Sequence, residues 1–205
     1  YLHLSVGGYY THLSDDVAFD AGEGRLERIG ATQRLGAVLN AVTRPMDWLV
    51  ASLSMTFVDA SLLESPPSSA EEPQPPFTAG QSVPFVPPLV IRADFGAHRT
   101  LVDQLGDWPL DGRVGLGWSF LSPRPLPYGE AASAVSLVDS SAALSWGPLA
   151  LTFELFNAFN AQYAAVEYAF PSDWNADDGV RPRTPARHRS AGSPRSWMLS
   201  LGVTL

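Results

Sequence analysis

The chain has no cysteine and no lysine. Without cysteine there is no disulfide framework, no thiolate metal site and no cysteine nucleophile. All 13 basic residues are arginine, against 21 acidic ones, giving a net charge of −8 and a pI near 4.8. That balance argues against a dedicated nucleic-acid binder. Charged residues as a whole make up only 17%, below the usual quarter. No apolar run reaches the roughly 18 residues of a membrane-spanning helix. The opening residues 1–10 carry neither the basic region nor the long apolar stretch of a secretory signal, and read as strand from the first residue. Catalytic signatures are missing too. There is no G-x-S-x-G and no P-loop, and Gly22-Glu23-Gly24 and Gly115-Leu116-Gly117 stop short of a third phosphate-cradling glycine. His3, His12, His98 and His188 are scattered, with no H-E-x-x-H spacing. Nothing here points to an enzyme or to a cofactor.

What the chain does have is alternation. Its 18 prolines and 17 glycines in 205 residues are too many for a helical bundle, while 45% apolar content is too high for a disordered chain. Apolar residues recur with a period of two, which puts them on one face of a strand. Near the end, Trp197, Leu199, Leu201 and Val203 oppose Ser196, Met198, Ser200 and Gly202. Val114, Leu116, Trp118 and Phe120 oppose Gly115, Gly117 and Ser119 in the same way. So do Ile91, Ala93, Phe95 and Ala97 against Arg92, Asp94, Gly96 and His98. The spacing predicts eight strands, at Tyr1–Leu13, Ala31–Thr43, Trp48–Asp59, Leu89–His98, Arg113–Leu121, Val135–Trp146, Leu149–Phe159 and Arg195–Leu205. Soluble strands average about five or six residues, whereas crossing a bilayer takes about nine to eleven tilted residues.

The connections alternate in length. Arg44–Asp47 and Gly147-Pro148 read as tight turns and Thr100–Leu110 as a medium one. Ser14–Gly30, Ala60–Pro88, Ser122–Ala134 and Gln162–Pro194 read as long loops, all on the opposite side. The Ala60–Pro88 stretch holds eight of the 18 prolines and cannot be an interior strand. Short turns at one end and long loops at the other is the plan of an outer-membrane barrel. A soluble sandwich would give the same period. However, its solvent face would be rich in Lys and Glu, whereas this one is built of Gly, Ser, Thr and Ala, and aromatics sit near the strand ends as interfacial girdles do. The expected fold is all-β: an antiparallel transmembrane β-barrel segment of about eight long strands, with short periplasmic turns and long extracellular loops.

Five segments, in order, carry a family resemblance. Ile29–Leu39 is similar to "N-x-G-x-x-x-x-x-G-V-E-L", Pro45–Leu49 to "P-x-x-W-L", and Val83–Pro87 to "x-P-x-V-P". Phe153–Tyr163 resembles "N-L-F-(D/N)-x-x-Y", and Arg187–Leu201 resembles "G-x-P-R-x-x-x-L-S-L". Together they resemble the C-terminal strands of TonB-dependent outer-membrane receptors. Two departures are that Ala158 stands where leucine is usual, and Leu205 where the family ends in an aromatic. Such receptors have about 22 strands around a plug. The plug, the energy-coupling box and the first strands have no counterpart here. The resemblance therefore implies that residues 1–205 are the C-terminal portion of such a barrel, in the outer membrane of a Gram-negative cell. Its function would be energised uptake of a scarce small-molecule ligand, such as an iron–siderophore complex or cobalamin. Implied partners are outer-membrane lipid and lipopolysaccharide, the missing plug and strands, and the TonB complex through that plug. The rival reading is a complete small eight-stranded barrel with a structural or adhesive role.

Candidate site residues follow. Arg34, Arg92, Asp94, His98, Asp139 and Glu154 are expected to point inward, with Asp139 and Glu154 near-diagonal across the Gly147-Pro148 turn. Paired carboxylates can do acid–base work, or simply hydrogen-bond to a plug or water. Asp173, Asn175 and Asp177 open like a calcium loop, but the glycine is one position late and Thr184 stands where the twelfth-position glutamate belongs. Five of the thirteen arginines fall between Arg181 and Arg195. Arg181, Arg183, Arg187 and Arg189, with Trp174, are the loop candidates for an anionic ligand or lipopolysaccharide phosphate, against a plain solvated loop paired to its own acids.

Overall fold

The computed structural model describes residues 1–65, 76–172 and 184–204. Among these the strands are β1 (Leu2–Asp20), β2 (Arg25–Met46), β3 (Leu49–Leu62), β4 (Leu89–Leu105), β5 (Trp108–Leu121), β6 (Arg124–Pro125), β7 (Ala131–Ala132), β8 (Val135–Trp146), β9 (Leu149–Phe156), β10 (Ala164–Ser172), β11 (Thr184–Ala191) and β12 (Ser196–Val203). Eight of them form one antiparallel sheet in the order β1-β2-β3-β4-β5-β8-β9-β12, matching the eight expected from the sequence. β6 and β7 form a small ladder inside the β5–β8 connection, and β10–β11 a hairpin inside the β9–β12 connection.

The register fixes the faces. Phe95 pairs with Leu116, Ala93 with Trp118, Leu144 with Leu151, and Leu201 with Leu151, so one face is apolar from strand to strand. Its side chains lie open: Val114 is 56% exposed, Leu199 57% and Leu201 71%. The opposite face carries Asp94 against Gly117, Gly117 against Asp139, and Ser141 against Glu154. The expected division is therefore the observed one. Every described position of β12, and nearly all of the first half of β1, is exposed on both faces. These are the two ends of the sheet order, and no ladder joins them among the described residues.

The strands outrun the sequence expectation in two places. Ser14–Gly30 is not a long loop: β1 continues to Asp20 and β2 resumes at Arg25. Asp20 closes the turn, its carboxylate accepting the Gly22 and Glu23 backbone N–H groups at 2.7 and 3.3 Å. A register shift between Leu13 and Asp16 breaks the alternation there, which hides the strand from a period-two reading. Likewise Thr100–Leu110 is not a medium turn. β4 runs to Leu105 and β5 starts at Trp108, again across register shifts. Trp146 donates its indole N–H to the Leu105 carbonyl at 2.7 Å and packs edge-on against Trp108 at 5.6 Å, holding this end closed. A third correction concerns Gln162–Pro194, which contains the β10–β11 hairpin. β9 also ends at Phe156, before the expected Phe159.

At the tight-turn end the strands are joined through Asp47-Trp48, Gly106-Asp107 and Gly147-Pro148; all the longer connections gather at the other end. There the buried residues concentrate. Ala18, Ile29, Val58, Ala60, Leu62, Phe77 and Val83 make one cluster. The segment around Gln81–Pro88 runs beside upper β3, bonded through Leu62 N–H to Gln81 O and Val83 N–H to Ala60 O, at 2.8 and 2.9 Å. Leu126, Ala132 and Ala169 make a second cluster, with Phe85 and Tyr128 packed on it. Thus the sheet itself has little core, and the loops build theirs on top of it.

Candidate ligand site at the long-loop end

Two turns of the C-terminal third are structural anchors. Asn157 is only 5% exposed with φ near +50°, a left-handed conformation that asparagine tolerates. Its side chain accepts the Ala161 N–H at 2.8 Å and donates to the carbonyls of Ala161 and Ser193 at 3.0 and 3.2 Å. Its backbone N–H goes to Asp139 Oδ1 at 2.9 Å. Asn160, also left-handed, accepts the Arg195 N–H at 3.0 Å. A Cβ on Gly192 would lie 2.3 Å from the Tyr163 ring, so only glycine fits beneath that tyrosine. The Phe153–Tyr163 and Gly192–Leu201 segments are thus folded against each other.

On the polar face, Arg92 is clamped by Asp94 through its Nε, at 2.8 and 3.0 Å, and through Nη2. Its Nη1 donates to Ser119 Oγ at 2.7 Å and lies 3.8 Å from Asp139. The guanidinium lies where a Cβ on Gly117 would stand, 2.2 Å from Nη2. Asp139 and Glu154 are diagonal neighbours, since Glu154 pairs with Ser141. Asp139 is engaged by Asn157 and Arg92, so the two carboxylates do not form an isolated acid–base pair. His98 is exposed on the same face.

Arg34 is placed differently. It lies in the outer half of β2, where Asp16 Oδ2 takes its Nη2 at 2.7 Å and the Thr32 hydroxyl at 2.8 Å. It lines a cavity of about 470 Å³ between the β1–β2 hairpin, the Val83–Val86 segment and β10. Phe19, Phe85 and Tyr168 supply aromatic wall, with Tyr168 5.7 Å from Phe19 and 5.8 Å from Phe85. Arg124 and Glu167 complete the polar lining. Glu167 is 2% exposed; its Oε1 accepts the Ser133 N–H at 2.9 Å. Glu167 Oε2 and Arg34 Nε are buried without a hydrogen-bond partner. A volume of this size, mostly apolar with a few converging polar groups, is typical of a small-molecule site.

Of the loop candidates named from the sequence, two lie among the described residues. Arg187 ties the hairpin down, donating to the Ala131 carbonyl at 2.8 Å with its Nε 3.8 Å from Glu130. Arg189 pairs in register with Glu167 but stays exposed, and no ion pair joins them. Arg181, Arg183, Trp174, Asp173, Asn175 and Asp177 lie outside the described residues. Among the described residues no cluster of His, Asp and Glu has the makings of a metal site. Sequence reasoning missed Arg124, Glu167 and the three aromatics. The run Val166-Glu167-Tyr168-Ala169-Phe170 has a strand's composition and was the available signal.

No protein-family model matches the chain, and no curated protein matches it in sequence. Solved structures do. The siderophore receptor PiuA of Acinetobacter baumannii superposes with a TM-score of 0.70 at 14% identity over 98% of this chain. BauA, the ferric preacinetobactin receptor of the same organism, does so with a TM-score of 0.60 at 13% identity, also over 98%. The chain spans about a quarter of the length of each, 26% and 27%. The fold is thus that of an antiparallel outer-membrane barrel segment, similar to part of the barrels of these two receptors.

Proposed function

We propose that this chain is the C-terminal wall of an outer-membrane, TonB-dependent receptor that takes up a scarce small-molecule ligand such as an iron–siderophore complex or cobalamin. The observation that carries the reading is the division of faces on a receptor-like sheet. An apolar surface runs from strand to strand with large side chains open on it, from Trp118 at 37% to Leu201 at 71% exposed, a surface that lipid can cover and water does not favour. Along β5, the stretch from Leu110, paired with Trp146, to Trp118 rises about 20 Å at about 3.3 Å per residue and a tilt near 40°. Aromatic residues mark both its limits, as girdles mark an apolar band of about 25 Å. The polar face, with Arg92, Asp94, Asp139 and Glu154, then looks into the lumen toward a plug, and the long-loop end faces outward to meet ligand. The role is binding and passage; no residue is assigned a catalytic step.

The test is uptake by whole cells. Cells with and without the full-length protein are given labelled ferric siderophores and cobalamin under limitation. Accumulation of one of them that needs the protein, and that stops when the proton-motive force is dissipated, is expected. Equal accumulation of all of them in both strains overturns the transport reading and favours a structural or adhesive barrel.

A further inference from the structure

We infer that the cavity bounded by Phe19, Arg34, Phe85, Arg124, Glu167 and Tyr168 binds a small zwitterionic group with an aromatic body: a cationic amine at Glu167 and an acidic group at Arg124 and Arg34. The argument starts from two atoms. Glu167 Oε2 is an acceptor with no donor, on a side chain that is 2% exposed. Arg34 Nε is a donor with no acceptor. Buried polar groups of a folded protein are normally paired, and each exception leaves its full desolvation penalty standing. Here the two side chains that carry exceptions of opposite sense both belong to the wall of one cavity.

Their neighbours do not resolve them. Asp16 occupies Nη2 of Arg34 and leaves Nε free. Ser133 occupies only Oε1 of Glu167. Arg189, the register partner of Glu167, is directed to solvent and makes no ion pair with it. Arg124, half-buried on the cavity wall, has no ion pair or side-chain hydrogen bond among the described residues. A purely anionic occupant would satisfy the arginines and leave the Glu167 carboxylate more strongly repelled. A purely cationic one would do the reverse. An amine and an acid on one molecule satisfy both, and the rings of Phe19, Tyr168 and Phe85, in contact with one another at 5.7 and 5.8 Å, form a continuous aromatic wall against which an aromatic body packs. Both orphan atoms are sealed from bulk water, so the occupant reaches them by displacing side chains of the wall.

This inference deepens the receptor reading and rests on it for the outward direction from which ligand arrives. Its test does not use uptake, so a failed uptake assay and a failed titration are separate results. The full-length protein, purified in detergent, is titrated calorimetrically with L-phenylalanine, 3-phenylpropionate and 2-phenylethylamine. L-phenylalanine is expected to saturate the protein and to bind at least tenfold tighter than either single-charge analogue. Glu167→Gln should weaken L-phenylalanine and 2-phenylethylamine tenfold or more and tighten 3-phenylpropionate, whose carboxylate then meets no negative charge there. Arg124→Gln should weaken L-phenylalanine and 3-phenylpropionate and tighten the amine. If Glu167→Gln fails to fold, the half-buried Arg124→Gln carries the test. No saturation by any of the three probes, equal affinity for all three, or variants that leave L-phenylalanine binding unchanged would overturn the inference.

Discussion

Asn157 shows how one side chain can close a barrel's loop end. It makes three hydrogen bonds through its amide and a fourth through its backbone, from a left-handed conformation, while almost fully buried. Replacing it with alanine strands the Ala161 N–H and removes the polar side chain that makes the left-handed backbone tolerable, so Asn157→Ala is expected to destabilise the full-length protein by about 2–4 kcal/mol. Denaturant unfolding in lipid vesicles measures it; a loss below about 0.5 kcal/mol would contradict the anchoring role. Asn157 and Gly192 could be picked out from the sequence, because each stands in a recognisable motif. Glu167 and Arg124 could not. Their burial comes from three loop segments meeting in space, and no local periodicity encodes that meeting.

Strands were legible where their alternation was unbroken and illegible where a bulge shifted its phase. The extension of β1 past Leu13 begins at a register shift, and that of β4 past His98 crosses two shifts between Thr100 and Leu105. The face assignment is testable on two central strands. Val114→Arg, on the apolar face near the middle of the band, should cost about 2–4 kcal/mol in a bilayer. Ser141→Arg, on the polar face opposite Glu154, should change stability by less than about 1 kcal/mol. Equal effects of the two, measured by urea unfolding in vesicles, would mean that the faces are not divided between lipid and lumen. The β10–β11 hairpin depends on Arg187. Arg187→Ala removes a charge-assisted bond to Ala131 worth about 1 kcal/mol, so amide exchange along β10 should quicken about fivefold. Unchanged exchange would show that packing around Ala169 alone holds the hairpin.

At the scale of the whole molecule, the sheet has eight strands in sequence order and two ends that do not meet among the described residues. Eight strands can close into a barrel filled by side chains, while a receptor wall needs many more around a plug. Edges left bare in lipid are unsatisfied, so in the wall reading β1 and β12 each pair with a strand outside this chain. Residues 1–205 hold no cysteine, so every thiol within this segment is an engineered one. The decisive measurement is disulfide cross-linking in the full-length protein in membranes, with Val6→Cys on β1 combined in turn with Trp197→Cys, Leu199→Cys, Leu201→Cys and Val203→Cys on β12. The cross-strand pair Val6→Cys with Leu39→Cys serves as the positive control. The wall reading predicts an efficient link in the control and none between β1 and β12. A β1–β12 link formed as readily as the control would contradict it and identify a self-contained eight-stranded barrel.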